Sequence, residues 1–563
     1  MDKFKKKGGM LFIKGWYRNR WEPTEKRRKR MKNLKNSLIL CLALLVCCGF
    51  CFSYVSSSLA RGHWGTSGPS DEYPSIEPTK EMGMINYLVY LANLPDGDWW
   101  GMNSKSYTYG GGGLGGSLKY ALSYQFRALA LVQYHKTPAY RELYQNALSR
   151  ILTKYVRQDV WGNWYWTSMG SKALDPDWEG YATPWADPVV NKNIMYSGHV
   201  LDMVGLYRML YGDKKYDEMG SIKFVWKPAI DTFDTFNYSH ESLAKVIYDQ
   251  FMNNPWHSIE CEPNAVFHVC NQPPLLGLLL YDGVNGTNYF PPARDAFLGT
   301  FYGVPLFDFA IHKGRLPYFV KQNITNPNRD PKPQDEGNLE MFMHVYQPDF
   351  VEEQYPYQVA MNPVLDDGTI AANDLDCWFS WLAAEVGDRE TVKKFQDWAD
   401  KNGNPIYKDG MYYFPRDDLN KMGPGENIYL AGGVINIKDG MKIMYTQPWG
   451  DVKFAEPYIS NVDYPNVLVT QAIYDSSKNS LMFTLIPGAG DRWKGIGVWE
   501  TSLNVNNLDP NQTYSIIMNG KLIGNLVKGV VKGKGLAWTG DTLTISISSS
   551  HLKRNVSFVV KAK

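Results

Sequence analysis

Two cysteines nine residues apart, Cys261 and Cys270, bound the stretch CEPNAVFHVCN, with Glu262, Phe267 and His268 between them. Sixty-two residues before Cys261, the stretch NIMYSGH ends on His199, with Met195 and Tyr196 about one helical turn earlier. A thiol is an unusual acid or base, with an ordinary pKa of about 8.5. Burial raises that value, so a neutral thiol can donate a proton; a nearby cation lowers it, so a partner can accept one. Two thiols and a histidine in an aromatic-rich chain therefore suit proton transfer on an apolar substrate. The competing reading is a Cys261–Cys270 disulfide beside a buried core histidine. Met195, four residues before His199, is by itself ordinary packing on one helical face, and His268 reads as structural.

The elements that must hold these groups have to be found in 563 residues, of which 44% are hydrophobic and 14% aromatic. That length suits several domains and a large core. The formal charge of +2 hides an asymmetry: residues 1–36 carry 14 Lys/Arg and 3 Asp/Glu, net +11, which leaves −9 for the remainder. An acidic body excludes a nucleic-acid partner, and a basic tail beside an apolar segment points to a membrane surface. Four of the seven cysteines lie within that apolar segment, so the soluble part has no disulfide framework. Outside the apolar segment no CxxC spacing is present, so no metal site is expected.

The segment from Asn36 to Ala60 has no charged residue. About 20 apolar residues span a bilayer, and the basic residues before it belong on the cytoplasmic side. An uncleaved signal anchor over 37–57 is expected, with a cleaved signal peptide as the alternative. The body would then face the lumen or the outside, along the secretory route. Five glycosylation sequons, at Asn237, Asn285, Asn323, Asn511 and Asn555, all follow the anchor.

Residues 58–80 read as a linker. Helices are expected at 82–94, 118–134, 139–156, 190–211, 240–252, 274–281, 292–300, 374–386 and 389–401. The glycine-rich run 109–116 lacks the Lys-Ser/Thr of a phosphate loop and reads as a loop at a pocket mouth. Residues 159–187 read as a long aromatic, acidic loop, which inside a compact domain is usually functional. Successive helix hairpins of this kind close into an (α/α)6-type toroid over 81–404. From 405 to 563, GGVINIKDG, KIMYTQ, VLVTQAIYD, SLMFTLIPG, TYSIIMNG and DTLTISISSS read as short strands of an antiparallel β-sandwich. The fold class is thus mainly α, with a β domain and an N-terminal transmembrane helix.

The region 80–400 resembles the linalool dehydratase-isomerase family. The likeness runs through Val160-Trp161-Gly162-Asn163-Trp164, Asp187-Pro188, Asn191 to His199, Gly205-Leu206-Tyr207, Asn254-Pro255, Cys261 to Asn271, Tyr281-Asp282 and Gly286 to Tyr289. The resemblance implies a cofactor-independent enzyme that removes water from a terpenoid alcohol, or shifts its hydroxyl and double bond. It makes His199, Cys261 and Cys270 the catalytic groups and Met195 a pocket residue. Tyr196, Glu262, Phe267 and Trp164 are candidate substrate contacts. Where the family has a catalytic aspartate this chain has Val89, and where it has a tyrosine this chain has Pro95. A further pocket tyrosine falls to Tyr346, Tyr355 or Tyr357. The loop Tyr165–Ala186 is longer, and about 20 residues are added between His199 and Cys261. A homo-oligomer follows from the resemblance alone.

A hydro-lyase, isomerase or cyclase of secondary metabolism is the leading expectation, with a small apolar substrate. A carbohydrate-active toroid enzyme using Asp175, Asp177, Glu179, Glu352 or Glu353 is the first alternative. A membrane-anchored binding protein on the same scaffold is the second.

Overall fold

Helices whose every face is apolar must be buried all round, and the chain holds several. In the computed structural model described here, residues 72–102, 115–229, 231–303, 307–310, 312–314, 317–325, 333–370, 376–415, 424–495 and 497–563 are described. The expected cytoplasmic tail, anchor and most of the linker lie outside them, as does the greater part of the glycine-rich run. No described helix is long and apolar enough to cross a membrane.

Thirteen helices matter for the site. They are α1 (Lys80–Asn93), α2 (Gly115–His135), α3 (Glu142–Tyr155), α4 (Ile194–Tyr211), α5 (His240–Asn253), α6 (Gln272–Asn285) and α7 (Phe290–Gly303). Then follow α8 (Pro333–Met343), α9 (Pro348–Met361), α10 (Asp376–Val386), α11 (Arg389–Asn402), α12 (Pro424–Ile435) and α13 (Gly440–Thr446). The even-numbered helices form a closed circuit: α2 packs on α4, α4 on α6, α6 on α8, α8 on α10, α10 on α12, and α12 returns to α2. The odd-numbered helices α1 to α11 lie against this inner ring. Inner helix α4 buries all its residues from Ile194 to Tyr207, whereas outer helix α11 buries only Thr391, Val392, Phe395 and Ala399.

The stretches GGVINIKDG and KIMYTQ are not strands: they fall in α12, its exit and α13. Their glycines serve close approach. A Cβ on Gly432 would stand 2.1 Å from the Trp381 ring, and one on Gly433 2.2 Å from Ser380 Oγ, both on α10. Inner helix α12 therefore lies beyond the expected boundary at 404, and the β-rich region begins at Tyr458, not at 405. Helices α8 and α9, unassigned from sequence, supply one hairpin of the circuit. Between α4 and α5 the added residues form a β-hairpin, β1 (Ile222–Ala229) and β2 (Thr232–Tyr238). Trp226 of this hairpin stacks on Tyr165 with ring centroids 4.9 Å apart.

The carboxy-terminal region contains β3 (Tyr458–Ser460), β4 (Val467–Asp475), β5 (Ser480–Pro487), β6 (Glu500–Asn506), β7 (Thr513–Met518) and β8 (Lys521–Val527). It continues with β9 (Val530–Gly533), β10 (Leu536–Thr539), β11 (Thr542–Ser548) and β12 (Val556–Ala562). They make two antiparallel sheets, of order β3-β6-β11-β10 and β4-β5-β12-β7-β8-β9. Leu503, Val505, Leu543, Ile545 and Ile547 alternate inward as period-2 patterning requires. This region joins the helices directly: Ala139 and Ile459 exchange backbone hydrogen bonds with neighbours across the junction, Ile459 N–H donating to Ala139 O at 2.7 Å.

Candidate active site

His199 stands in the second turn of α4, Tyr120 in the second turn of α2, and Trp378 in the first turn of α10. Cys270 falls in the 3-10 turn that leads into α6. The groups of interest thus collect at the amino-terminal end of the inner ring. Cys261 and Cys270 are both free thiols, each only 4% exposed. Burial, then Cys261 and Glu262, push the Cys270 thiol well up. Cys270 is therefore held neutral and able to donate. The loop that carries them is pinned from within: Cys261 N–H donates to Ala265 O at 3.0 Å, and Asn271 Nδ2 donates to Phe267 O at 3.0 Å and Ile259 O at 3.1 Å.

His199 is fully buried. Burial, then Arg127 and Lys119, push its pKa well down, so the ring is neutral. Its Nδ1 lies 3.4 Å from an Arg127 amino group, while its Nε2 has no hydrogen-bond partner among the described residues. An unsatisfied buried polar atom costs about 1–3 kcal/mol, which a bound polar ligand would offset. Arg127 also binds Asp202 through a buried ion pair and donates to Tyr445 Oη at 3.1 Å. Asp202 in turn accepts from Tyr445 Oη at 2.7 Å.

Aromatic rings surround this group. Tyr120 and Tyr124 set their edges to the His199 ring at centroid distances of 6.4 and 6.0 Å. Trp378 stacks on Tyr124 at 5.8 Å and meets Tyr429 at 5.2 Å. Burial, Cys270, Cys261 and Glu262 together raise the Tyr120 hydroxyl, which places all four in one electrostatic neighbourhood. Glu262 Oε2 has no hydrogen-bond partner among the described residues. Such a cluster of π faces can stabilise a developing carbocation.

The other sequence candidates fall as follows. Met195 is buried on α4 before His199. Tyr196 stacks on Tyr155 at 4.9 Å and gives its hydroxyl to Tyr155 O, so its polar atom is already engaged. Trp164 is buried against Trp185. Phe267 is half-buried beside the thiols. Val89 is buried on outer helix α1. Of the three tyrosines, Tyr346 donates to Gln272 Oε1 at 2.6 Å, two residues from Cys270. Tyr355 instead donates to Asp388, and Tyr357 is exposed. Among the alternative carboxylates, Glu352 and Glu353 are exposed on outer helix α9, and Asp175 is ion-paired with Lys321. All five sequon asparagines are exposed.

Sequence reasoning missed Tyr120, Tyr124, Arg127, Asp202 and Trp378. A signal was present: Arg127 and Asp202 are charges inside otherwise apolar helical runs, and a buried charge needs a partner.

Two supporting clusters give testable consequences. Asn264, in a left-handed conformation (φ 72°), ties the thiol loop to its neighbours. Its Nδ2 donates to Leu174 O and Gln322 Oε1, its Oδ1 accepts from Lys321 N–H, and its N–H donates to Glu260. Asn264→Ala is expected to cost about 1–3 kcal/mol, read as a lower urea midpoint. Below the thiol loop, His268 Nε2 lies 3.7 Å from Glu336 Oε2, and Glu340 follows one turn later on α8, both carboxylates fully buried. Burial and Glu336 raise the Glu340 carboxyl well above its usual range. Its folded form holds a proton that the unfolded chain releases above about pH 4.3, so stability falls as pH rises past that value. Glu340→Gln is expected to flatten this slope, stabilising the protein at pH 7 and leaving it unchanged at pH 4, as followed by denaturant midpoints.

Among solved structures, the chain is similar to a selenomethionine derivative of a GH76 alpha-mannanase from Bacteroides thetaiotaomicron, at 10% identity over 58% of this chain and 86% of that one, TM-score 0.33. It is also similar to a polysaccharide lyase, at 10% identity over 62% and 96%, TM-score 0.33. A GH127 beta-L-arabinofuranosidase from Geobacillus stearothermophilus matches at 10% identity over 86% and 76%, TM-score 0.30. The family model of linalool dehydratase/isomerase matches residues 119–420, more than half of the sequence. That span holds the thiol pair, His199 and five of the six inner helices almost whole, and the chain belongs to the linalool dehydratase/isomerase family.

Proposed function

We propose that the protein is a cofactor-independent lyase or isomerase of an apolar hydroxylated metabolite, terpenoid in character, made or consumed in secondary metabolism. The observation that carries this reading is the pair of free, buried thiols in the neighbourhood of a neutral His199 and its aromatic surround. The six-helix circuit supports an (α/α)6 toroid as the scaffold. The reaction is a dehydration, a hydroxyl or double-bond shift, or a cyclisation begun by loss of the hydroxyl.

In the dehydration, His199 Nε2–H donates to the substrate oxygen and holds it. Cys270 transfers its thiol proton to that oxygen, the C–O bond breaks with its electron pair going to oxygen, and water leaves. Tyr120, Tyr124 and Trp378 stabilise the allylic cation. Cys261 passes its proton to the Cys270 thiolate and takes one from the carbon next to the cation, so the C–H pair becomes the new double bond. Both sulfurs end as they began, and no external oxidant or reductant is needed. In the isomerisation, water adds to the other end of the cation and gives one proton to the Cys270 thiolate, which restores the thiol and leaves the rearranged alcohol.

The test incubates the reduced full-length protein with a panel of tertiary and allylic terpenoid alcohols in ¹⁸O-labelled water. Loss of water, or a rearranged alcohol carrying the label, is expected. Unchanged alcohols alongside cleaved glycosides would overturn the reading. We further propose a single-pass anchor over 37–57 with the body on the luminal or outer side, supported by the apolar segment, its basic flank and the exposed sequons. Protease protection of the body in intact microsomes checks it.

A further inference from the structure

Arg127 is wholly buried and, of the groups that would meet a substrate, touches His199 and the Tyr124 ring. Its guanidinium is held through Nε and one amino group, while the other amino group has no hydrogen-bond partner among the described residues. Nε donates to Tyr445 at 3.1 Å, one amino group pairs with Asp202, and the plane stands over the Phe342 and Tyr124 rings at 4.7 and 5.2 Å. The same amino group lies 3.4 Å from His199 Nδ1. A guanidinium has five N–H donors, no acceptor, and stays protonated. The atom facing it must therefore carry a lone pair, so Nδ1 is bare and the ring proton sits on Nε2. An imidazolium would set an N–H against an N–H and a cation against a cation, in a fully buried place.

We propose that Arg127 is a positioning residue that locks His199 as the neutral Nε2–H tautomer, making His199 a fixed hydrogen-bond donor and not a base. The ligand atom it meets must then be an acceptor: a hydroxyl, ether or carbonyl oxygen, never an ammonium. This rests on the proposed function only for the identity of that atom as the substrate's hydroxyl oxygen. The charges around the ring agree. On α2, Arg127 and Lys119 both act against protonation, and Tyr120 and Tyr124 are neutral, their hydroxyls raised by burial. On its own helix, Asp202 is saturated by Arg127 and by Tyr445 of α13. From the thiol loop, Cys270 is held neutral. Glu262 of the thiol loop acts on Tyr120 and not on the His199 ring, and among the described residues no carboxylate is hydrogen-bonded to Nδ1.

The experiment reads ring nitrogens by ¹⁵N NMR in the full-length chain labelled at its nine histidines, with His199→Gln identifying the resonance. A bare Nδ1 and a protonated Nε2, unchanged from about pH 5 to 9, are expected; the unperturbed value of about 6.5 would put a titration inside that window. A protonated Nδ1, or titration near pH 6.5, overturns the proposal. In the Arg127→Met/Asp202→Leu double variant, which leaves no buried charge behind, the tautomers should mix while burial keeps the ring neutral. If the ring stays locked there, Arg127 is not its cause. Neither readout needs turnover. Failure of the lyase or isomerase reading would show separately, as unreacted alcohols with the tautomer still locked.

Discussion

Cys270→Ala is expected to lower turnover of the alcohol substrate by about 10²- to 10⁴-fold, the usual worth of a positioned acid or base. The thiol is the group whose proton is held by burial and by the neighbouring Cys261, so no neighbour supplies an equivalent donor. The change removes one buried atom group and should cost the fold only about 1 kcal/mol, so the denaturant midpoint stays close to that of the parent. Cys261→Ala should give a similar loss, and the double variant should be little worse than either alone, because the two sulfurs act as one relay. Full activity in Cys270→Ala would remove the thiols from the chemistry and leave them as packing.

Asp202→Asn carries the largest expected effect on stability. Asp202 and Arg127 are both wholly buried, and they neutralise one another within a shell of Tyr445, Phe342 and Tyr124. Removing the carboxylate alone leaves the guanidinium uncompensated, a loss of about 3–5 kcal/mol. Replacing both residues by apolar ones of similar size is expected to bring stability back to near that of the parent, since desolvating the pair offsets most of its attraction. Chemical denaturation of the two single variants and the double variant gives the comparison. Equal losses in all three would mean that the ion pair itself, and not the stranded charge, supports the fold.

Much of this was legible from residue types. The outer helices alternate apolar and charged positions, and α11 was read to within one residue at its end. The thiol pair and His199 are chemical outliers in apolar surroundings, so they announced themselves. Inner helices α2, α4, α6 and α10 were read in whole or in part, but α8 and α12 were not: a helix buried on all faces loses the 3.6-residue signal that an exposed face supplies. In α12 the stretch GGVINIKDG reads as a strand, yet its Gly432-Gly433 pair lets α10 approach a helix. Hairpin β1–β2 escaped notice because Thr232 to Thr235 is exposed throughout and shows no inward alternation. Arg127 and Asp202 lie 75 residues apart, and their pairing is a property of the ring, invisible until α2 and α4 are set side by side.

Ring closure also sets a clock. The last inner helix, α12, must pack on the first, α2, before the circuit is complete. The ribosome therefore has to add every residue from Cys270 to Ile435 while the thiol pair waits in an open, unfinished arc. At synthesis rates of about 5–20 residues per second, that interval is roughly 10–30 seconds. For that time the sulfurs are exposed to whatever oxidants their surroundings hold, and the redox state in which the finished enzyme inherits them is decided during its birth.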